Sequence, residues 1–255
     1  MIRLVRAELL KITTARLALA MFVLGMLLGL AGTGFTLAFA GRGIDGQVVV
    51  DAIDTVGDAR ELVYGAAQIA LFALLLGATS TTTEHRYGTI GGTFLITPVR
   101  WRVVVAKILA AATVGAVFGL VAALASLALS WSWLAIDGGG LQVDASVWAA
   151  VPRVGAAAAI SAALGGAVGA SLTSQVWAVV TVIAWRVVVE PLAGALLPAA
   201  RPFLPFSGVE SAIAPAQPSL DLLEPWTAVG LALVYVIVAT IVGVVVTERR
   251  DVDGR

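Results

Sequence analysis

Residues 226–247 read WTAVGLALVYVIVATIVGVVVT, and no charged side chain interrupts this run. A helix of this length extends about 33 Å, because each residue adds about 1.5 Å. The hydrocarbon core of a bilayer is about 30 Å thick, so the run is long enough to cross it. Backbone groups in lipid must form hydrogen bonds within their own segment. The run therefore predicts a transmembrane helix.

Five further apolar runs are predicted to span the membrane, and they cover residues 17–40, 62–82, 103–136, 147–172 and 175–190. The last of these weakens at Glu190-Pro191, since proline does not fit easily inside a helix. The prolines in residues 191–224 interrupt an apolar stretch that is too short to span, which suits short outer re-entrant helices before the sixth span. We predict an all-α polytopic membrane protein with six transmembrane helices in a single domain, residues 1–255.

The composition agrees with lipid as the main solvent. Hydrophobic residues make up 60% of the chain and charged residues 13%, about half the charged share of soluble domains. The formal net charge is zero, which argues against a nucleic-acid partner. With no cysteine and a single histidine, His85, disulfides, thiolate metal sites and multi-histidine metal sites are excluded.

Basic residues are distributed unequally between the predicted loops, and this bias sets the orientation. With the amino terminus inside, the inner side carries Arg3, Arg6, Lys11, Arg16, Arg86, Arg100, Arg102, Lys107, Arg249, Arg250 and Arg255. The outer side carries only Arg42, Arg60 and Arg201, and its first loop is acidic, with Asp45, Asp51, Asp54, Asp58 and Glu61. We predict a multi-pass plasma-membrane protein with both termini in the cytoplasm.

Residues 1–16 have the pattern of an amphipathic helix. One helical face would collect the apolar residues Ile2, Val5, Leu9 and Ile12. The basic residues lie away from that face. This spacing favours a helix in the inner membrane interface, with its basic side toward lipid phosphates. The alternative is a basic flank that only sets the topology.

The loop after the second predicted span, residues 84–102, reads EHRYGTIGGTFLITPVRWR. Thr89 can cap the start of a helix, and Pro98 marks its end. A solvated connector has little use for the consecutive apolar residues 94–96, so we predict a short helix that docks on another protein. A plain connector is the alternative.

The pattern of Glu84, Tyr87-Gly88-Thr89, Pro98, Arg100, Arg102 and Lys107 before a long apolar run resembles the permease subunits of ABC-2 type (type V fold) ABC exporters. The resemblance covers essentially the whole chain. It implies a coupling helix that docks on an ATP-binding subunit through Glu84, Arg86, Tyr87, Gly88, Thr89, Ile90, Phe94, Leu95 and Pro98. Gly91 and Gly92 depart from the helix formers common at these positions.

The resemblance also implies partners. A P-loop needs the pattern G-x-x-x-x-G-K-[ST], and both lysines of this chain, Lys11 and Lys107, are followed by isoleucine. A separate subunit would therefore hold ATP and Mg, and this chain would bind no cofactor and would not be an enzyme. The implied assembly is two copies of the chain with two ATPases, and symmetric dimers are the commonest assembly. It would export a hydrophobic or amphipathic substrate by alternating access.

Charged residues inside spans usually have a function. Arg186 and Glu190 lie four apart in the fifth span, so we expect them to share a helical face and to pair. Arg153 lies in the outer part of the fourth span. We predict a substrate pathway or gate at these residues. A buried pair that only locks helices together is the alternative.

Small residues at G-x-x-x-G spacing allow helices to pack closely in lipid. Such pairs occur at Gly25 and Gly29, at Gly115 and Gly119, and at Gly165 and Gly169. We predict that they are helix contact faces, the fourth span above all. Chance spacing in a chain with 27 glycines is the alternative.

A stand-alone secondary transporter or channel is the main alternative function. It is less favoured because ion-coupled carriers usually need several intramembrane acids, and the predicted spans contain only Glu190. An intramembrane serine protease is not supported, because His85 lies at the cytoplasmic edge. A membrane anchor subunit without a transport path is a third reading.

Overall fold

The structure is a computed structural model that describes residues 1–41, 43–44, 47–48, 53, 55–136, 140–172, 174–215 and 223–249. Several charges used to predict the orientation lie outside these residues, namely Arg42, Asp45, Asp51, Asp54, Arg250 and Arg255.

Six helices within the described residues are long and apolar enough to cross a membrane. They are span one, Arg16–Phe39; span two, Val56–Arg86; span three, Arg100–Ile136; span four, Ala145–Ser171; span five, Gln175–Leu196; and span six, Pro225–Arg249. The predicted class, an all-α polytopic protein with six such helices, is confirmed.

Two spans contain irregular turns. Span two consists of helices Val56–Gly65 and Ile69–Arg86 with a 3₁₀ turn at Ala66–Gln68 between them. Span five consists of helices Gln175–Ala184 and Glu190–Leu196 with a π turn at Trp185–Val189. Span five therefore passes Pro191, where the sequence predicted its end. In a regular helix the ring of Pro191 would clash with the carbonyl of Val187. Val187 lies within the π turn, whose wider backbone makes room for the ring.

The shorter elements lie at the two ends of the bundle. The amino-terminal helix is Ile2–Thr14, and a second short helix is Ile90–Ile96. A two-residue antiparallel ladder joins Gly43–Ile44 to Gln47–Val48. After span five come a 3₁₀ helix at Pro198–Phe203, a π turn at Pro205–Glu210 and a short helix at Ser211–Ile213.

Spans two and four form the centre of the bundle and are the most buried, whereas spans five and six are the least buried. Span three packs against both central spans. Span four begins at the N-cap Asp144, whose carboxylate accepts hydrogen bonds from the backbone N–H of Ser146 and Val147. The hydrogen bond from the Ser146 hydroxyl, together with these backbone bonds, lowers the pKa of Asp144.

Close helix contacts explain most of the glycine pairs. A Cβ at Gly165 would overlap the backbone oxygen of Leu74 in span two, and one at Gly169 would come within 2.6 Å of the Ala78 oxygen. Gly115 and Gly119 approach the backbone of span four equally closely. The predicted contact faces of spans three and four are confirmed. Gly29 has no atom within 4 Å of its would-be Cβ, so its predicted contact is wrong.

Replacing Gly165 with alanine is expected to lower the free energy of unfolding by about 2 kcal/mol, because a rigid backbone oxygen cannot yield to the added methyl group. Gly29→Ala is the matched control and should leave stability unchanged or slightly raised. Denaturant titration of the purified protein measures both. Equal effects of the two substitutions would contradict the packing described here.

Candidate functional site

Four charged side chains form one cluster at the end of the bundle that the sequence predicts to be cytoplasmic. Lys11 Nζ lies 2.6 Å from Glu8 Oε1 and 2.7 Å from Glu84 Oε1. Lys107 Nζ lies 2.8 Å from Glu8 Oε2 and 2.9 Å from Glu84 Oε1. We call these four residues the charge cluster. It joins the amino-terminal helix to spans two and three.

The charge cluster is mostly buried and electrically balanced. Exposed fractions are 3% for Glu8, 8% for Glu84 and 4% for Lys107. Two lysines face two glutamates, so no net charge is left in a poorly solvated site. Removing one partner from such a cluster leaves an uncompensated buried charge, which is strongly destabilising. The cluster therefore fixes how three elements sit together.

Lys11 is the solvent-facing member, with 48% of its side chain exposed. Burial alone would lower the pKa of Lys11, but its hydrogen bonds to Glu8 and Glu84 outweigh burial and raise it. A raised lysine pKa stabilises the fold below the unfolded value of about 10.4. That contribution is lost only as the pH rises through the folded pKa.

Glu84 also binds the loop that follows span two. Its second carboxylate oxygen accepts a hydrogen bond from the Thr93 hydroxyl at 3.1 Å, and its backbone oxygen accepts one from the Thr89 N–H at 2.9 Å. Gly88 has φ 68° at the turn, a conformation that favours glycine. The helix Ile90–Ile96 is thereby attached directly to the charge cluster.

The predicted docking residues fall into two groups. Those with exposed side chains or positions are Arg86, Tyr87, Gly88, Thr89, Leu95 and Pro98, and those that are buried or half-buried are Glu84, Ile90 and Phe94. Leu95 is 87% exposed and the neighbouring Ile96 86%. The apolar surface of this segment is therefore centred on residues 95 and 96.

Two arginines connect the segment to other spans. Arg100 lies over the Phe94 ring at 5.3 Å and donates a hydrogen bond to the Thr247 carbonyl of span six at 3.2 Å. Arg86 donates to Gln175 Oε1, at the start of span five, at 3.0 Å. Thr89 occupies the N-cap position, but its side chain makes no capping hydrogen bond. Movement of the segment would thus act on several spans.

A second group of charges lies inside the spans. Arg186 makes a two-pronged ion pair with Glu210, with Nη1 and Nη2 each 2.7 Å from a carboxylate oxygen. Ser161 of span four donates a 2.5 Å hydrogen bond to the same carboxylate. The predicted pair of Arg186 with Glu190 is wrong, because Glu210 is the partner.

Glu190 is fully buried and bound by other groups. It accepts hydrogen bonds from Trp185 Nε1 at 2.8 Å and from the backbone N–H groups of Phe206 and Ser207 at 3.0 and 2.7 Å. The π turn explains the failed prediction. Its longer repeat brings residues five apart into register, so Trp185 rather than Arg186 meets Glu190.

Arg153 attaches the segment after span five to spans two and four. It donates hydrogen bonds to the Ile213 carbonyl at 2.7 Å, the Ala212 carbonyl at 3.2 Å and the Tyr64 hydroxyl at 2.6 Å. Tyr64 and Arg153 each lie eight residues, about 12 Å, inside their spans. The end of this segment, residues 212–213, therefore contacts a side chain from the interior of the bundle.

Comparison with protein-family models identifies the family of the chain. The family model described as ABC-2 family transporter protein matches residues 3–252, nearly the whole chain. The chain belongs to the ABC-2 transporter family. No curated protein matches the chain.

Family membership fixes the coarse function of this ABC-2 permease domain. It is the membrane component of an ABC transporter, and the family implies an ATP-binding partner subunit. The six apolar helices and the family together indicate a multi-pass membrane protein. Within the described part of this permease, no three His, Asp or Glu side chains are grouped as metal ligands.

Sequence reasoning missed two acids of the permease, Glu8 and Glu210. A usable signal existed for Glu8, since it lies three residues before Lys11, one helical turn away. The chain has two lysines, and a lysine that is buried needs a carboxylate partner, which was a second signal for an acid such as Glu8. Glu210 gave a weaker signal, because it follows a proline-rich stretch that has no helical period.

Proposed function

We propose that this chain is the transmembrane subunit of an ATP-driven exporter, with an ATP-binding subunit docked on residues 84–102 at the cytoplasmic side. The exposed side chains of Leu95 and Ile96 carry the proposal. Two large apolar side chains, each more than four-fifths exposed beside a buried charge cluster, need a partner that shields them from water. Tyr87, 69% exposed, would extend the same surface.

The charge cluster would transmit movement of the docking helix Ile90–Ile96 to the spans. A push on the helix Ile90–Ile96 reaches Glu84 through Thr93 and the Thr89 N–H. From Glu84 it reaches span three through Lys107 and the amino-terminal helix through Lys11. In this proposal Glu84 positions the docking helix and does not itself touch the ATPase. Alternating access would follow as spans two and three move together.

A second copy of this chain would complete the transport path. Spans one, five and six have few buried residues, so their outer faces are covered by lipid or by a second copy. The cargo would be a hydrophobic or amphipathic molecule that enters between the two copies. The Arg186–Glu210 pair, with Glu190 beside it, would act as the gate.

A stand-alone carrier remains the competing function, and Glu210 adds a second intramembrane acid to its case. Both acids are already engaged, however, Glu210 by Arg186 and Ser161 and Glu190 by Trp185 and two backbone N–H groups. An ion-driven carrier predicts substrate flux in liposomes that contain this chain alone. The exporter predicts flux only with the ATP-binding subunit and ATP.

Replacing Leu95 with aspartate is expected to weaken binding of the ATP-binding subunit by at least 2 kcal/mol, roughly 30-fold in Kd, as for a central interface residue. Leu95→Met is the matched control, since it keeps an apolar side chain of similar size. Co-purification and ATP-dependent efflux in proteoliposomes measure the effect. Full association of the aspartate variant would show that the ATPase docks elsewhere.

A further inference from the structure

A polar cavity of about 290 Å³ lies between the 3₁₀ turn of span two and the segment after span five. Its polar lining includes Gln68, Arg186, Arg201, Ser207, Ser211 and Glu210. The volume is close to the lower end of small-molecule sites, about 300 Å³. It is far above the roughly 10–15 Å³ that one water needs. A molecule larger than water therefore fits.

The turn at Ala66–Gln68 gives this cavity an unusual polar wall. Gln68 lies twelve residues into span two and is exposed, although its neighbours in that span are largely apolar. A polar side chain inside a span is expected to face the protein interior or a water-filled cavity. The cavity beside it meets that expectation.

Two groups in the lining lack partners among the described residues. Ser207 Oγ is buried and makes no hydrogen bond there. Arg201 is exposed, and its guanidinium forms no hydrogen bond or ion pair with the described part of the chain. Buried polar groups normally have a partner. A ligand that accepts hydrogen bonds would supply that partner to Ser207 and would pair with the guanidinium of Arg201.

The charges of the lining favour an anion. Arg186 and Glu210 neutralise each other in their ion pair, which leaves Arg201 as one net positive charge. Arginine binds carboxylate and phosphate groups with two parallel hydrogen bonds. Gln68 and Ser207 add further donors. Because Gln68 places the cavity beside span two, twelve residues from the start of that span, an anion that reaches the cavity would be carried by a molecule that enters the membrane.

We propose that this cavity binds the anionic head group of an amphiphile, with Arg201 as its charge partner and Gln68 and Ser207 as hydrogen-bond donors. The cargo role of that amphiphile rests on the proposed function, but its binding does not. The same head group could belong to a membrane lipid or to a molecule dissolved in the membrane. Competition with an anionic lipid separates these two sources.

The test uses the full chain in phosphatidylcholine nanodiscs without any ATPase, so it does not depend on coupling. The probes are dansyl-undecanoic acid and its uncharged primary amide, which differ only at the head group. The acid is expected to bind about tenfold more tightly, since a hydrogen bond to a charged group is roughly twice as strong as a neutral one. Arg201→Gln should abolish the preference, and Arg201→Lys should keep part of it.

Arg60→Gln is the matched control, because Arg60 is also predicted to be outside but does not line the cavity. Loss of preference in this variant, equal binding of the two probes, or no binding of either would overturn the proposal. Adding phosphatidylglycerol to the discs should displace the acid if the natural ligand is a lipid. If the ligand is a dissolved amphiphile, binding of the acid should be unaffected. Because the ATPase is absent, failure here leaves the exporter proposal standing.

Discussion

Replacing Lys107 with methionine is expected to lower the free energy of unfolding by about 3 kcal/mol or more. Only 4% of the Lys107 side chain is exposed, and its ammonium lies within 3 Å of both Glu8 and Glu84. Methionine fills similar space but leaves the two carboxylates with Lys11 alone. One buried negative charge is then uncompensated. Denaturant titration of the detergent-solubilised protein measures the loss.

The double variant Lys107→Met/Glu84→Gln is the control for this prediction. It removes one charge of each sign and leaves the Lys11–Glu8 pair neutral, so it should regain most of the lost stability. Lys11→Met removes the same charge but should cost less, about 1 kcal/mol, because water reaches the carboxylates through the half-exposed position of that lysine. If the double variant were no more stable than Lys107→Met, the four residues would not act as one cluster.

Replacing Glu210 with glutamine is expected to lower the free energy of unfolding by about 3 kcal/mol, because Arg186 is then left in the membrane without its counter-charge. Transport should fall as well. The pair is mostly buried, with 17% of the Arg186 side chain and 9% of the Glu210 side chain exposed. Unfolding and efflux in proteoliposomes with the ATP-binding subunit measure the two effects separately.

The double variant Arg186→Met/Glu210→Gln separates a gate from a structural lock. Replacing both charges can be nearly neutral for stability, so this variant should fold. If the pair is a gate, efflux stays low in the folded double variant. Efflux at the wild-type level would show that the pair is not a gate and that Arg186 has only a structural role.

The sequence was sufficient to predict that six spans exist, because length and apolarity decide whether a helix can cross lipid and both are local properties. It did not predict where span five ends. Pro191 ends a regular helix, but the π turn just before it let the helix continue to Leu196. Proline position alone does not reveal that a wider turn precedes it.

The candidate site was less predictable, because its pairs join residues distant in the chain. Glu8 and Lys107 are 99 positions apart, and no spacing rule connects them. The rule that residues four apart share a helical face selected Glu190 for Arg186, whereas the π turn and the segment after span five supplied Glu210. Local patterns thus located the charged residues, and tertiary packing chose their partners.

Single-cysteine labelling at Leu95 shows which side of the membrane holds the docking segment and whether the ATP-binding subunit covers it. The chain has no cysteine, so Leu95→Cys gives one reactive thiol at an 87% exposed position. A membrane-impermeant maleimide should label it in inside-out vesicles and not in right-side-out vesicles, and a bound ATP-binding subunit should block the reaction. Trp226→Cys, at the predicted outer end of span six, should show the opposite sidedness. Labelling of residue 95 from outside, or undiminished labelling with the ATPase bound, would show that the ATPase does not dock on this segment at the cytoplasmic side.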